Sequence, residues 1–211
     1  MNEWLKMNGN KKLSDFLTPE EYQRVKDYFN NNNSMMPFAV METFKPFFIS
    51  SLISEQSMDC GEKEGMEQAI IRESKQYNKE IKGLESVAFQ ASVFDSIPYD
   101  QQAKELVKSI DSMDRNNKLA RELVTVYKMQ DLKKIEELTN KEEGGISGFM
   151  DLLLYNRNAD WAEKINRIMQ EDAVLFAVGA AHLPGERGVL NLLRKKGYTV
   201  RPMGNSTALV Q

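Results

Sequence analysis

The chain has 211 residues, 28 Lys and Arg against 31 Asp and Glu, a formal net charge of −3 at pH 7 and a single cysteine, Cys60. Its pI is near 5.4, and its basic residues are scattered without a long stripe, which excludes a nucleic-acid backbone as partner on charge grounds. One cysteine excludes an intrachain disulfide and a Cys-rich zinc site, while 41% apolar and 28% charged residues suit a soluble globular protein long enough to bury a full core.

The opening "MNEWLKMNGNKK" lacks the charged-then-apolar pattern of an export signal, and localisation is left unknown. At "LTPEEYQRV", Thr18 is placed to cap a helix. Pro19 suits its first position and Glu21 completes a capping box. Leu17 and Tyr22 have the spacing of a hydrophobic staple, and Tyr22, Val25 and Phe29 fall on one face. Residues 30–33, all Asn, read as a short connector. A helix is expected from about Pro37 to Ser54, kinked near Pro46. Glu42, Lys45 and Pro46 interrupt this apolar stretch too often for a membrane span. Met35, Met36 and Met41 read as flexible core filler before a partner groove.

After the loop "SMDCGEKEG", "MEQAIIRESKQYN" reads as an amphipathic helix and "KEIKGLE" as a short strand. From about Ser86 to Leu138 helical patterns follow one another, broken at Pro98, as in a helical subdomain laid on a sheet. The glycine-bearing loop "NKEEGGISG" leads into "FMDLLLYNRNADWAEKINRIM", where Trp161, Ile165 and Ile168 form a core stripe. "AVLFAVG" has the length and flanks of a buried parallel strand. "GERGVLNLLRKKG" reads as a helix with Leu190 and Leu193 inside and Gly197 at its C-terminal end, and "YTVRPM" as a last strand. Helix, strand, helix and strand make a right-handed crossover.

His182, the only histidine, falls between the predicted strand and helix of "AVGAAHLPGERG". Ligands of open α/β sheets gather at that end of the strands. Gly179, Ala180 and Ala181 leave room for a ligand, Pro184 and Gly185 shape the helix start, and free N–H groups there favour anions. An imidazole in this place can bind a divalent metal or move protons. A satisfied packing histidine fits the pattern equally well. Glu85 ends the other predicted strand, and a carboxylate with an imidazole suits a zinc- or manganese-class ion. On the residues alone, Glu85 as a cap of the next helix is the slightly favoured reading. Arg157 and Asn158 in "YNRNADW" could clamp a carboxylate or oxyanion, or form a surface ion pair and a cap. Glu186, near His182, suits a helix's first turn.

Together these segments resemble the TraB/GumN family, which includes the TIKI metalloproteases. The resemblance is carried by "VGAAHLPGERGVLNLLRKKGYTVRPM", by "YNRNADWAEKI", and by "KGLESVAFQASVFDSIP" with Gln90 close to the Gly-Leu-Glu. "LSDFLTPEEYQRVKDYF", "MMPFAVMETFKPFFISSLI" and "GMEQAIIRESKQYNKEI" are similar to the family's earlier helices, although Glu67 stands where the family more often has Asp. The resemblance implies an α/β fold, a partly parallel sheet with a large inserted helical subdomain, similar to erythromycin-esterase-like and ChaN-like proteins. It implies one domain over 1–211, with a helical region at 14–138 and a C-terminal α/β unit at 149–203.

The TIKI branch uses two Gly-x-x-His motifs. Gly179–His182 matches the second; the first has no counterpart in a chain with one histidine, so the resemblance implies either an N-terminally truncated domain or a divergent member that has lost the catalytic half. The resemblance implies metal-dependent peptide hydrolysis. His182 would be a metal ligand or base and Glu85 a ligand or general base, with Arg157 and Asn158 steadying an oxyanion or carboxylate. The implied ion is divalent (Mn²⁺ or Co²⁺ first, Zn²⁺ next) and weakly held, because one imidazole and one carboxylate fall short of the roughly three or four protein ligands of stable sites. The chain alone is therefore expected to be inactive or weak. A peptide or protein is the expected substrate, and a homodimer a further expectation. The rival reading is a non-catalytic module that binds or sequesters a peptide. Family members are often exported or envelope-associated.

Overall fold

A computed structural model describes residues 3–32, 36–56, 64–140 and 147–204. Met35, Cys60, and parts of the three loops expected around 30–33, 57–65 and 140–148 lie outside the described residues. The chain forms two compact units, Met1–Val124 with Glu143–Phe149, and Thr125–Glu142 with Met150–Gln211.

In the first unit, helix α1 (Pro19–Asn31) starts where the capping residues place it. The Thr18 hydroxyl accepts from the Glu21 amide, and the Glu21 carboxylate accepts from the Thr18 amide. Two otherwise unsatisfied helix-end donors are thereby paired. Val25 and Phe29 are buried on its inner face.

The single kinked helix expected near Pro46 is two helices, α2 (Phe38–Met41) and α3 (Pro46–Gln56). Proline disfavours helical backbone in the residue before it. Here the intervening turn pairs outward instead: the Lys45 amide donates to the Leu5 carbonyl, and Lys6 and Phe44 form an isolated antiparallel bridge. Met41 is fully buried, and Met36 packs against the same core, as filler should.

Helices α4 (Met66–Gln76), α5 (Val87–Asp95) and α6 (Tyr99–Asp111) follow, and α7 (Met113–Lys128) carries the chain into the second unit. α6 packs on α1 and α3. Its Ala103, Leu106 and Val107 join Leu13, Val25, Phe29, Phe44 and Ile49 in the core. Buried Gln102 ties two helix ends together. Its amide nitrogen donates to the Phe94 and Ile97 carbonyls at 2.8 Å each, and its oxygen accepts from the Phe47 amide at 3.4 Å. Beside it, the Lys45 ammonium is 2.8 Å from Asp95 and 3.3 Å from the Ala91 carbonyl.

In the second unit, α8 (Leu132–Asn140) and α9 (Asn156–Ile168) bury Ile135 and Leu138, and Trp161, Ala162 and Ile165, respectively. Ile168, expected inside, is 36% exposed. A π-helical turn, Asp151–Tyr155, precedes α9. α10 is short, Val189–Lys195, with Gly188 as its N-cap. Residues 184–188 are turn and not helix, so Pro184 and Gly185 do not open it.

The expected α/β fold with a partly parallel sheet, and with it the likeness to erythromycin-esterase-like and ChaN-like proteins, is overturned. Among the described residues there is no β-strand. Residues 79–85, 172–179 and 198–203 are not paired strands. Along 173–178 no backbone hydrogen bond is made with another described residue, and Val174 and Leu175 are 46% and 82% exposed. An apolar run signals a tendency to bury, but a strand exists only when a neighbour satisfies its ladder of N–H and C=O groups. No described residue supplies that neighbour, so the right-handed crossover does not form. No helix among the described residues is long and apolar enough to cross a membrane.

Candidate functional site

His182 ends a short 3₁₀ turn, Ala180–His182, closed by its own amide donating to the Gly179 carbonyl at 2.9 Å. The side chain is 8% exposed. An imidazole that deep in protein needs partners for its polar edge, and α9 provides them. Asn158 and Trp161 stand three residues apart and so project from one face of the helix. The Asn158 Oδ1 lies 2.6 Å from His182 Nδ1, and the Trp161 ring lies against the imidazole with centroids 4.4 Å apart. Arg157 places its guanidinium 4.9 Å from the Trp161 ring and donates to the Leu153 carbonyl at 2.8 Å. Cation, indole and imidazole thus form one aromatic cluster.

The loop after His182 is fastened to the same helix. Asn158 Nδ2 donates to the Arg187 carbonyl at 2.9 Å. The Arg187 guanidinium lies 4.3 Å from the Tyr155 ring and pairs with Asp151, so the π-helical turn holds the loop's far end. π-Helical turns are rare and recur at functional sites. Gly188 closes the loop: a Cβ there would fall 1.9 Å from the Pro184 carbonyl oxygen and 2.4 Å from that of Leu183. Only glycine permits this approach. Glu186 is exposed in the turn before α10 and faces Lys195 at 3.5 Å.

Three of the four sequence-predicted site residues, Arg157, Asn158 and His182, therefore come together in the second unit. Glu85 lies in the first unit. Ser86, not Glu85, caps α5, its hydroxyl accepting from the Phe89 amide at 3.1 Å. The Glu85 carboxylate instead accepts from Gln90 at 3.1 Å. The sequence pattern marks Trp161 as core alone, and its spacing from Asn158 is the available signal of its contact with His182. Nothing in the sequence pattern pointed to Arg187. Among the described residues no group of three His, Cys, Asp or Glu side chains converges as a metal site would require.

No solved structure matches the chain. A curated protein named as a metalloprotease TIKI homolog, from Amphimedon queenslandica, is 35% identical over 74 residues, which is 32% of this chain and 14% of that protein. The match thus spans about a seventh of the relative's length. The profile of the TraB/PrgY/gumN family matches residues 1–202, nearly the whole chain. The chain belongs to the TraB/PrgY/gumN family.

Proposed function

We propose that this chain acts on peptides through the His182 loop and that the parent activity is peptide hydrolysis, with His182 as base or metal ligand. The observation that carries the reading is the burial of the sole imidazole against Asn158 and Trp161. A histidine held on edge and face at once is pre-oriented for chemistry. The partial match to a protein named as a metalloprotease gives the hydrolytic reading its direction. Arg157 is proposed to steady a carboxylate or oxyanion from its place on Trp161.

The donor chemistry bears on metal. One imidazole does not make up the roughly three protein ligands of a catalytic zinc site. A divalent ion, Mn²⁺ or Co²⁺ before Zn²⁺, is therefore proposed to bind weakly. Calorimetric titration with Mn²⁺ and Co²⁺ tests this. Weak binding that falls sharply in His182→Ala supports the metal role; binding unchanged by the substitution removes it.

The second reading is a peptide-binding module without catalysis. It is favoured by the apolar run at residues 173–178, which lies just before the His182 turn and makes no backbone hydrogen bond with another described residue. Extended peptides bind such segments by pairing along the main chain. Slowed amide exchange along 173–178 on adding a peptide supports this reading, and unchanged exchange opposes it. A second copy of the chain is the competing occupant, recognised by exchange that slows with protein concentration alone.

A further inference from the structure

We infer that Asn158 is a positioning residue that fixes His182 as its Nδ1–H tautomer. The two ends of one amide fix the tautomer. The Arg187 carbonyl can only accept, so the Asn158 atom 2.9 Å from it must be the donating nitrogen. That orientation turns the Asn158 oxygen towards His182, 2.6 Å from Nδ1. A carbonyl oxygen cannot donate, so Nδ1 must carry the hydrogen. In the neutral ring the lone pair then lies on Nε2. Asn158 is 1% exposed and His182 8%, so water does not compete readily for either group. Trp161, 4.4 Å from the imidazole, limits rotation of the ring away from this bond. Nor is the amide free to flip. Turning it over would set its oxygen against the Arg187 carbonyl, two acceptors facing each other in a buried place, and lose that bond whichever tautomer His182 took.

The consequence for chemistry is that the lone pair of the neutral ring, the group that accepts a proton or binds an ion, is on Nε2. Orienters of this kind set which imidazole nitrogen acts in metal and acid–base sites. This consequence rests on the reading that His182 is the acting group; the tautomer itself does not. Asn158 is thereby assigned to holding the imidazole and not to contacting a developing oxyanion, since its oxygen and one amide hydrogen are both engaged within the protein.

The single histidine makes the test direct. The full chain, labelled with ¹⁵N-histidine, is examined by two-bond ¹H–¹⁵N correlation at about pH 8.5, roughly two units above the ordinary histidine pKa, so that the ring is neutral. The folded wild type is expected to give one form, with a protonated-type Nδ1 and a lone-pair-type Nε2. The same chain unfolded in urea is expected to revert to the solvated mixture, in which Nε2–H predominates. Asn158→Leu removes the acceptor and is expected to lose the Nδ1–H preference. Asn158→Asp restores an acceptor and is expected to keep it. A folded wild type that carries the hydrogen on Nε2 overturns the inference, and so does a folded Asn158→Leu that still holds it on Nδ1. The wild-type comparison decides the matter even if neither variant folds. Absence of peptide binding or cleavage in a chain with the Nδ1–H form in place would count against the proposed function and leave this assignment standing.

Discussion

Trp161 is the side chain on which the geometry of the His182 loop most depends, and its removal should be felt in two ways. At 5% exposure it is almost wholly buried. A buried indole withdraws about 200 Å² from water, which at roughly 25 cal/mol per Å² is about 5 kcal/mol. That area figure is an upper estimate, because the unfolded chain already hides some of its surface. Large aromatic-to-Ala changes cost about 3–5 kcal/mol once the cavity is counted. Trp161→Ala should therefore destabilise the second unit by about 3–5 kcal/mol, and Trp161→Phe, which keeps a ring against His182, by about half as much. With two units in the chain, a single unfolding transition is not assumed. Urea unfolding should accordingly be followed through the ring signals of His182, which report the second unit alone. If Trp161→Ala costs under about 1 kcal/mol, or leaves the His182 ring signals in place, the stacked arrangement is wrong.

Further tests address the rest of the fold. The carboxyl of Glu21 is held down to about 2 by its hydrogen bond from the Lys104 ammonium and then by the Thr18 amide. A carboxyl with a lowered pKa adds stability above its unfolded pKa, and that contribution is lost as the pH falls towards the folded value. Acid unfolding between about pH 4.5 and 2 should therefore be shallower in Glu21→Gln than in the wild type; identical profiles would refute the assignment. Asp95→Ala strands the Lys45 ammonium, whose side chain is 2% exposed. It should cost about 2–3 kcal/mol, somewhat less than a fully buried pair because Asp95 is partly solvated. Adding Lys45→Met should recover most of that loss in urea unfolding, and no recovery would contradict the account. Gly188→Ala forces a Cβ against two backbone oxygens. It should destabilise the second unit by roughly 1–3 kcal/mol and displace the His182 ring signals in the same correlation spectrum.

Much of the helical organisation was legible because its signals are local. Thr18, Pro19 and Glu21 fix the start of α1, Pro98 marks the boundary before α6, and Gly197 takes a φ of +92° just beyond α10, as expected of a helix end. The grouping of Asn158 with Trp161 follows from their spacing on one helix. The sheet was not legible in the same sense. "AVLFAVG" carries a strand's composition, but pairing is a property of two segments, and local pattern cannot say whether the second is present. The helix expected from Gly185 begins instead at Val189, because the backbone folds onto itself at Gly188, a contact that no spacing rule contains. Arg187 was likewise invisible. Its role depends on its carbonyl meeting Asn158 and its guanidinium meeting Tyr155 and Asp151, all distant in sequence.

The most direct test of a peptide-directed site at His182 is cleavage of a mixed peptide library, read by mass spectrometry. Wild type and His182→Ala are compared, each with added Mn²⁺ or Co²⁺ and each with chelator. The account predicts slow cleavage by the wild type, stimulated by the ion, and none by His182→Ala. Cleavage that persists undiminished in folded His182→Ala would contradict it.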